Sequence, residues 1–320
     1  MPTVVITDCS FPNIDPERAI LEPTGCDVVL AQPDQKTAFM ELTGDADAII
    51  TQFAPLTAPI IENMRRVKAV VRNGIGYDNI DVEAAQRKRI PVCNVPDYGT
   101  DEVADHALAL ILALTRQVLP NHNRIRAGRW GLAVPEQEMR TLGEMTVGVV
   151  GFGRIGRAVV QRLVAFGGRV LVADPFTKEE AIRAAGAEPA KLDALLATAD
   201  LVTLHCLLND QTRHLLNADS RARMKPGVLL ANVGRGALID TEALLAALQN
   251  GQVAGAGLDV FEAEPLPPDS PLRALDNVVL SGHIAAVSTR AMRVVREASA
   301  RMALHAIRGE PLQNVVNGVV

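Results

Sequence analysis

Aromatic residues are scarce in this sequence: Trp, Tyr and Phe together make up 3% of its 320 residues, with a single tryptophan. Proteins that bind single-stranded nucleic acid by stacking need such rings, so that class is disfavoured. An excess of positive charge is also missing. The 32 Lys and Arg against 37 Asp and Glu leave a net charge of −5, without the basic face that a nucleic acid or an anionic membrane would call for. Cysteine is sparse: Cys9, Cys26, Cys93 and Cys206 lie far apart and form no CxxC pair. Neither a zinc site nor a disulfide framework is expected from them, and they suit a reducing compartment. The N-terminus has no basic region leading into a long apolar stretch, so no secretory signal is expected. The longest apolar run, Ala107 to Leu114, is flanked by Asp105 and Arg116 and falls well short of a membrane span. No repeat or low-complexity tract is visible. These absences point to a soluble cytoplasmic protein with no nucleic-acid, membrane or metal partner. The 48% hydrophobic content is ample for two cores.

What is present is a rhythm of short β-branched runs and helical patterns. Strands are predicted at Thr3–Asp8, Asp27–Leu30, Ala48–Thr51, Ala69–Arg72 and Pro91–Asn94, and helices at Gln35–Leu42, Thr57–Met64 and Asp81–Arg87. A further helix starts at Asp15-Pro16-Glu17, where Asp15 reads as a cap and Pro16 as a first-turn proline. Buried strands joined by crossover helices make a parallel sheet. From about Thr100 to Ala127, the spacing of Ala104, Leu108, Ile111, Leu112 and Leu119 predicts one long helix. An irregular segment, Gly128 to Gly143, follows it and carries Trp130. A second βα series runs from Thr146 to about Ser281, and a last helix, roughly Thr289 to Arg308, crosses back to the first domain. The fold class is therefore α/β, with two doubly wound parallel-sheet domains: residues 1–98 with 289–320, and residues 99–288 inserted between them.

The second series opens on Thr146–Val150, then Gly151-Phe152-Gly153-Arg154-Ile155-Gly156 and a helix-like Arg157–Phe166. In such a GxGxxG the first glycine permits a tight turn and the second lets backbone amides approach a pyrophosphate. The third lets the helix pack on the strand. The helix N-terminus adds unsatisfied N–H groups and partial positive charge. The next strand, Arg169–Ala173, ends at Asp174, where an acid can accept hydrogen bonds from the adenosine ribose; the alternative is a cap before Pro175. An acid there repels a 2′-phosphate and no basic pair follows it, so NAD is expected rather than NADP.

Three later strands each end in a polar segment. Val228–Asn232 leads into Val233-Gly234-Arg235-Gly236, Ala254–Leu258 into Asp259 to Pro265, and Val278–Leu280 into Ser281-Gly282-His283-Ile284-Ala285-Ala286. Open α/β sheets bind ligands beyond these carboxyl ends. Reducing a 2-keto acid needs a proton donor for the carbonyl oxygen, a cation for the carboxylate and a pre-positioned nicotinamide. His283 can give or take the proton near neutral pH, and Glu264 is the candidate carboxylate to raise its pKa. Arg235 offers a fork that matches a carboxylate. Taken singly, His283 reads as a structural histidine, Arg235 as a loop cation and Glu264 as a turn cap; the combination carries the assignment.

Over nearly its whole length the chain resembles the D-isomer-specific 2-hydroxyacid dehydrogenases. The resemblance rests on Arg72 to Asp81 (RNGIGYDNID), Gly151 to Gly156, Met224 to Gly227, Val233 to Gly236, Asp259 to Pro265 and His283 to Ala285, in order and consistently spaced. It implies Arg235, Glu264 and His283 as the catalytic set. Asn73, Gly74, Ile75 and Gly76, with Arg235 and His283, are implied as substrate contacts. Implied contacts to NAD are Gly151, Gly153, Arg154, Ile155, Gly156, Asp174, Cys206, Val233, Gly234, Arg235, Asp259, His283 and Ala285. The resemblance further implies a flavodoxin-like first domain for substrate, a Rossmann second domain for NAD, a cleft between them that closes, and a homodimer joined through the long helix and the Trp130 segment.

Two departures from the family pattern stand out: Gly282 in place of the usual proline before the histidine, and Leu207 in place of proline after Cys206. Neither removes a chemical group. Tyr98 is read either as lining the substrate side or as hinge packing. Two other functions fit parts of the pattern: an NAD-sensing, corepressor-like protein with little turnover, and a formate dehydrogenase-like enzyme, against which Glu264 argues. Glyoxylate, hydroxypyruvate, 3-phosphoglycerate and larger keto acids all share the carboxylate–carbonyl unit. The chain length leaves no room for an appended regulatory domain, which slightly disfavours a feedback-controlled phosphoglycerate enzyme and leaves the short forms open.

Overall fold

The two βα series form two separate parallel sheets in the computed structural model, which describes residues 1–31 and 33–319. In chain order the first series is β1 (Thr3–Ile6), α1 (Asp15–Leu21), β2 (Asp27–Leu30), α2 (Lys36–Asp45), β3 (Ala48–Thr51), α3 (Ala58–Asn63), β4 (Val70–Arg72), α4 (Val82–Arg87) and β5 (Val92–Cys93). Then come α5 (Thr100–Thr115), α6 (Val118–Arg126), β6 (Thr146–Val150), α7 (Arg154–Val164), β7 (Arg169–Ala173), α8 (Glu179–Ala184) and β8 (Glu188–Pro189). The chain continues with α9 (Leu192–Thr198), β9 (Leu201–Leu204), α10 (Ala218–Ala222), β10 (Val228–Asn232), α11 (Thr241–Gln249), β11 (Val253–Leu258), β12 (Val278–Leu280) and α12 (Thr289–Arg308). Met1–Gly99 with the segment from Ser288 onward make one compact unit, and Thr100–Val287 the other.

In the first unit the strand order is β2-β1-β3-β4-β5, the flavodoxin-like order. Residues 48–51 of β3 are buried throughout, as expected for a strand covered on both faces. Val5, Ile49 and Val70 face one apolar layer, and Val4, Ile50 and Val71 face the other together with Ala300, Ala303 and Leu304 of α12. The last helix is pinned by a buried ion pair. Arg296 donates to both oxygens of Glu17, at 2.7 and 2.6 Å, and to the Asn13 carbonyl. Removing either partner leaves the other charge buried and uncompensated, at a cost of about 3–5 kcal/mol.

The second unit has the order β12-β11-β10-β9-β6-β7-β8, all parallel, in which the chain reverses direction across the sheet between β6 and β9. That is the doubly wound, Rossmann arrangement, whose ligand crevice lies outside the carboxyl ends at the reversal. Adjacent residues of one strand serve opposite layers: Leu229 and Ala231 pack with α5 and α7, Leu230 with α9 and α11.

Three local expectations are corrected. The single helix from Thr100 to Ala127 is two, α5 and α6, bent by 64° with Gln117 at φ +50 between them. Pro120 explains the break: it lacks an N–H, and its ring would clash with the carbonyl four residues back, so it fits only a first helical turn. Helix α7 starts at Arg154 rather than Arg157, inside the glycine motif, with Gly153 as its N-cap. Asp15 is not a cap; Ile14 holds that position and Asp15 opens the helix beside Pro16.

Candidate active site

At the β6–β9 reversal the glycine motif is explained by sterics. Gly151 has φ +94, and a Cβ on it would lie 2.6–2.8 Å from the backbone of His205 and Cys206. A Cβ on Gly156 would meet the Gly151 carbonyl at 2.1 Å, whereas one on Gly153 would meet nothing within 4 Å. The first and third glycines are thus demanded by packing, and the second leaves open space before the first turn of an 11-residue helix. Arg154 and Gly153 are exposed and Ile155 half-buried there. That cradle fits a pyrophosphate held by helix amides.

Asp174 lies beside it, at the end of β7. Its carboxylate accepts the Phe152 amide at 2.7 Å and the Phe176 and Thr177 amides at 2.9 Å each. Burial pushes this acid up, but the amide bonds outweigh it and hold the carboxyl below its usual range. Of the two readings of Asp174, these bonds bear on the cap: it caps the following turn and ties that turn to the glycine loop. Across the motif, burial pushes the His205 imidazole down to about 3 and the Cys206 thiol up to about 11, so both stay neutral.

The proton-handling groups sit at the ends of β10, β11 and β12. Asn232 ends β10; its side chain accepts the Gly234 amide and donates to the Arg235 carbonyl, shaping the turn that carries Arg235. Arg235 and Gly234 are half-buried and Val233 is buried. Gly236 is required there, since a Cβ on it would lie 1.9 Å from the Phe261 carbonyl carbon. His283 Nδ1 donates to Glu264 Oε2 at 2.7 Å, and Glu264 Oε1 accepts the Phe261 amide at 2.9 Å. Burial pushes Glu264 up, but His283, the Phe261 amide and the Arg235 charge together bring it below its usual value. With Nδ1 committed to Glu264, the ring's tip nitrogen is the one left outside that bond. The pair borders a cavity of about 500 Å³ lined also by Phe261, Pro265, Leu266 and Leu280.

Asp259, expected as a cofactor contact, is fully buried beneath the loop. Its carboxylate accepts Ser281 Oγ at 2.6 Å and the Ile284 and Ala285 amides at 3.0 and 2.8 Å. Its direct work is on the loop that carries His283.

In the first unit, Asn73 to Gly76 follow β4. Gly74 has φ +154, a conformation that L side chains rarely adopt, so glycine is favoured there. The carbonyls of Asn73, Gly74 and Ile75 are all tied inward, to Arg72 Nη1 at 3.0 Å, the Val95 amide at 3.0 Å and Asn94 Nδ2 at 2.7 Å. Ser299 of α12 holds the Asn73 side chain at 3.1 Å. Among the described residues the amides of Ile75 and Gly76 have no protein acceptor. Carbonyls turned in and amides unspent, beside a buried guanidinium, make a receptor for an anion. Tyr98 is buried in this unit.

Sequence reasoning missed Asn232, Ser281, His106 and Asn94. The only signal for them is a polar residue ending an apolar strand, or standing alone on an apolar helix face.

A dinucleotide cradle, a histidine–carboxylate pair and a neighbouring arginine, all at the carboxyl edge of one parallel sheet, define an NAD-dependent dehydrogenase. Residues 108–285 match the sequence model of the D-isomer specific 2-hydroxyacid dehydrogenase NAD binding domain, and the chain belongs to that family. It moves a hydride between NAD(H) and a 2-hydroxy acid/2-keto acid pair. A glyoxylate reductase of Korarchaeum cryptofilum is 39% identical over 290 residues, covering 89% of this chain and 87% of that one. A hydroxypyruvate reductase of Thermotoga maritima is 39% identical over 266 residues, covering 82% and 85%. The crystal structure of a D-lactate dehydrogenase from Aquifex aeolicus, complexed with NAD and lactic acid, superposes with a TM-score of 0.87 at 29% identity over 98% of this chain and 99% of that one.

Proposed function

We propose that the substrate is a small 2-keto acid of the glyoxylate or hydroxypyruvate type, reduced to the corresponding 2-hydroxy acid, which has the D configuration where C2 is a stereocentre. The observation that carries the proposal is the 2.7 Å His283–Glu264 bond next to Arg235 at the sheet edge. When bound, NADH supplies the hydride. The cradle from Gly151 to Gly156 holds the pyrophosphate and Asp174 the ribose. His283 gives its tip-nitrogen proton to the carbonyl oxygen as negative charge develops there, and Glu264 holds the ring and balances its charge. Arg235 polarises the carbonyl and pairs with the carboxylate. In the first unit, the Ile75 and Gly76 amides are proposed to bind a carboxylate. A carbonyl needs a proton donor and formate does not, so the histidine–glutamate pair favours keto-acid reduction.

A homodimer is proposed on the apolar surface of α6 and the segment after it, where Trp130 is 89%, Leu132 56% and Ile125 51% exposed.

The test is NADH oxidation at 340 nm with glyoxylate, hydroxypyruvate and pyruvate, beside His283→Ala and Arg235→Ala. Turnover with at least one acid, lost in both variants, is expected. No oxidation with any of them, or undiminished turnover by His283→Ala, would overturn the proposal.

A further inference from the structure

His283 holds an unfavourable backbone conformation, φ +55. A non-glycine residue persists there only where its surroundings over-determine it, because the strain is about 1 kcal/mol or more. The surroundings are Asp259 and what stands behind it. The His283 amide donates to the Asp259 carbonyl at 2.6 Å, and the Asp259 side chain holds the Ile284 and Ala285 amides.

Hydrogen accounting extends this anchor into α5. Both Asp259 oxygens already accept amide hydrogens, so Ser281 Oγ, 2.6 Å from Oδ1, donates its one hydrogen to the carboxylate. Ser281 can then only accept from the next group, His106 Nε2, which lies 2.8 Å away and 3.5 Å from Asp259 Oδ1. His106 Nε2 must therefore carry a hydrogen. The neutral Nε2–H tautomer and the imidazolium both do, so the donor is present whatever the charge on the ring. Donor chains of this kind strengthen each member, and the fully buried carboxylate has no solvent to compensate a lost partner.

We infer that His106 is a positioning residue for the catalytic imidazole. As an obligatory Nε2–H donor it closes the chain His106–Ser281–Asp259, which holds residues 281–285 in the shape that aims His283. It touches no reacting atom. The inference rests on the proposal that His283 moves the proton, and the experiment keeps the two apart.

His106→Gln keeps an N–H donor at comparable reach, and His106→Leu fills similar space without one. We expect His106→Leu to lower kcat about tenfold, the scale of a small misplacement of a catalytic group, with NADH affinity by fluorescence titration within about twofold. His106→Gln should recover to within about threefold of wild type. Ser281→Ala should match the leucine variant, and combining the two should add less than about twofold, because both break one chain. Independently of turnover, nitrogen-15 NMR of the wild-type protein should show His106 protonated at Nε2. A glutamine variant no better than leucine, penalties that multiply, or a neutral ring protonated only at Nδ1 would each overturn the inference. If His283→Ala turns over like wild type, the proton assignment fails and the tautomer alone judges the chain. If His283→Ala is inactive while His106→Leu matches wild type, only the positioning role falls.

Discussion

His214 and His283 act as controls for one another. Both have positive φ, +50 and +55, and each binds a glutamate of the segment after β11. His214 Nε2 lies 2.6 Å from Glu262 Oε1, and His283 Nδ1 lies 2.7 Å from Glu264 Oε2. The difference is which nitrogen is spent. His214 commits its tip, and Glu262 also accepts the Thr241 amide at the start of α11, so that pair staples one loop to one helix. His283 commits the nitrogen nearer its backbone and keeps the tip outside the bond. The same two residue types thus make a brace in one place and the proposed proton donor in the other. Composition does not separate these roles; ring orientation does.

The largest effect should come from His283→Ala, which removes the proposed general acid and should lower kcat by about a hundredfold or more. His214→Ala, assayed identically, should keep kcat within about threefold; a loss as large as that of His283→Ala would erase the distinction. Next, Arg235→Lys keeps the charge but not the fork, and should raise the keto-acid KM about tenfold with a smaller change in NADH affinity. Glu264→Gln should reduce kcat by about tenfold or more, since it leaves the ring without a charged partner.

The Glu264 variant also carries a pH signature. A carboxyl held low in the native state stabilises the fold above its unfolded pKa and loses that contribution as pH falls through its native value. The stability gap between wild type and Glu264→Gln in urea melts should therefore shrink as pH falls below about 4.3. A gap that widened in acid would contradict the assignment. The smallest effect should come from Glu262→Gln, about 0–1 kcal/mol of stability, because this pair is partly exposed.

Much of this was legible beforehand. The glycine motif, Asp174 and the polar ends of β10, β11 and β12 announced themselves because strand periodicity and turn chemistry are local. The α5–α6 break was legible too, in Pro120, but the apolar spacing on both sides of it outweighed that one residue. The start of α7 was hidden because helix geometry begins within the glycines themselves. Other features depend on residues far apart in sequence. Asp259 reads as a ligand-facing acid until β12 lays Ser281 and the 284–285 amides over it. The anion receptor needs Asn94 and Val95 from beyond β5 to turn the loop carbonyls inward. The His214–Glu262 pair joins segments 48 positions apart, and no spacing rule predicts it.

The first unit is discontinuous in sequence, and this sets an order on its birth. Thr100–Val287 is one uninterrupted stretch that can fold as it leaves the ribosome. The earlier strands must wait, because Arg296 and Ser299 of α12, the partners of Glu17 and Asn73, are synthesised last. Until then the Glu17 carboxylate has no counter-charge, and the loop proposed to grip the substrate carboxylate lacks one of its struts. A nascent chain stalled before α12 would carry a finished second unit and an unfinished first one. Protease sensitivity during synthesis should concentrate in those first 99 residues.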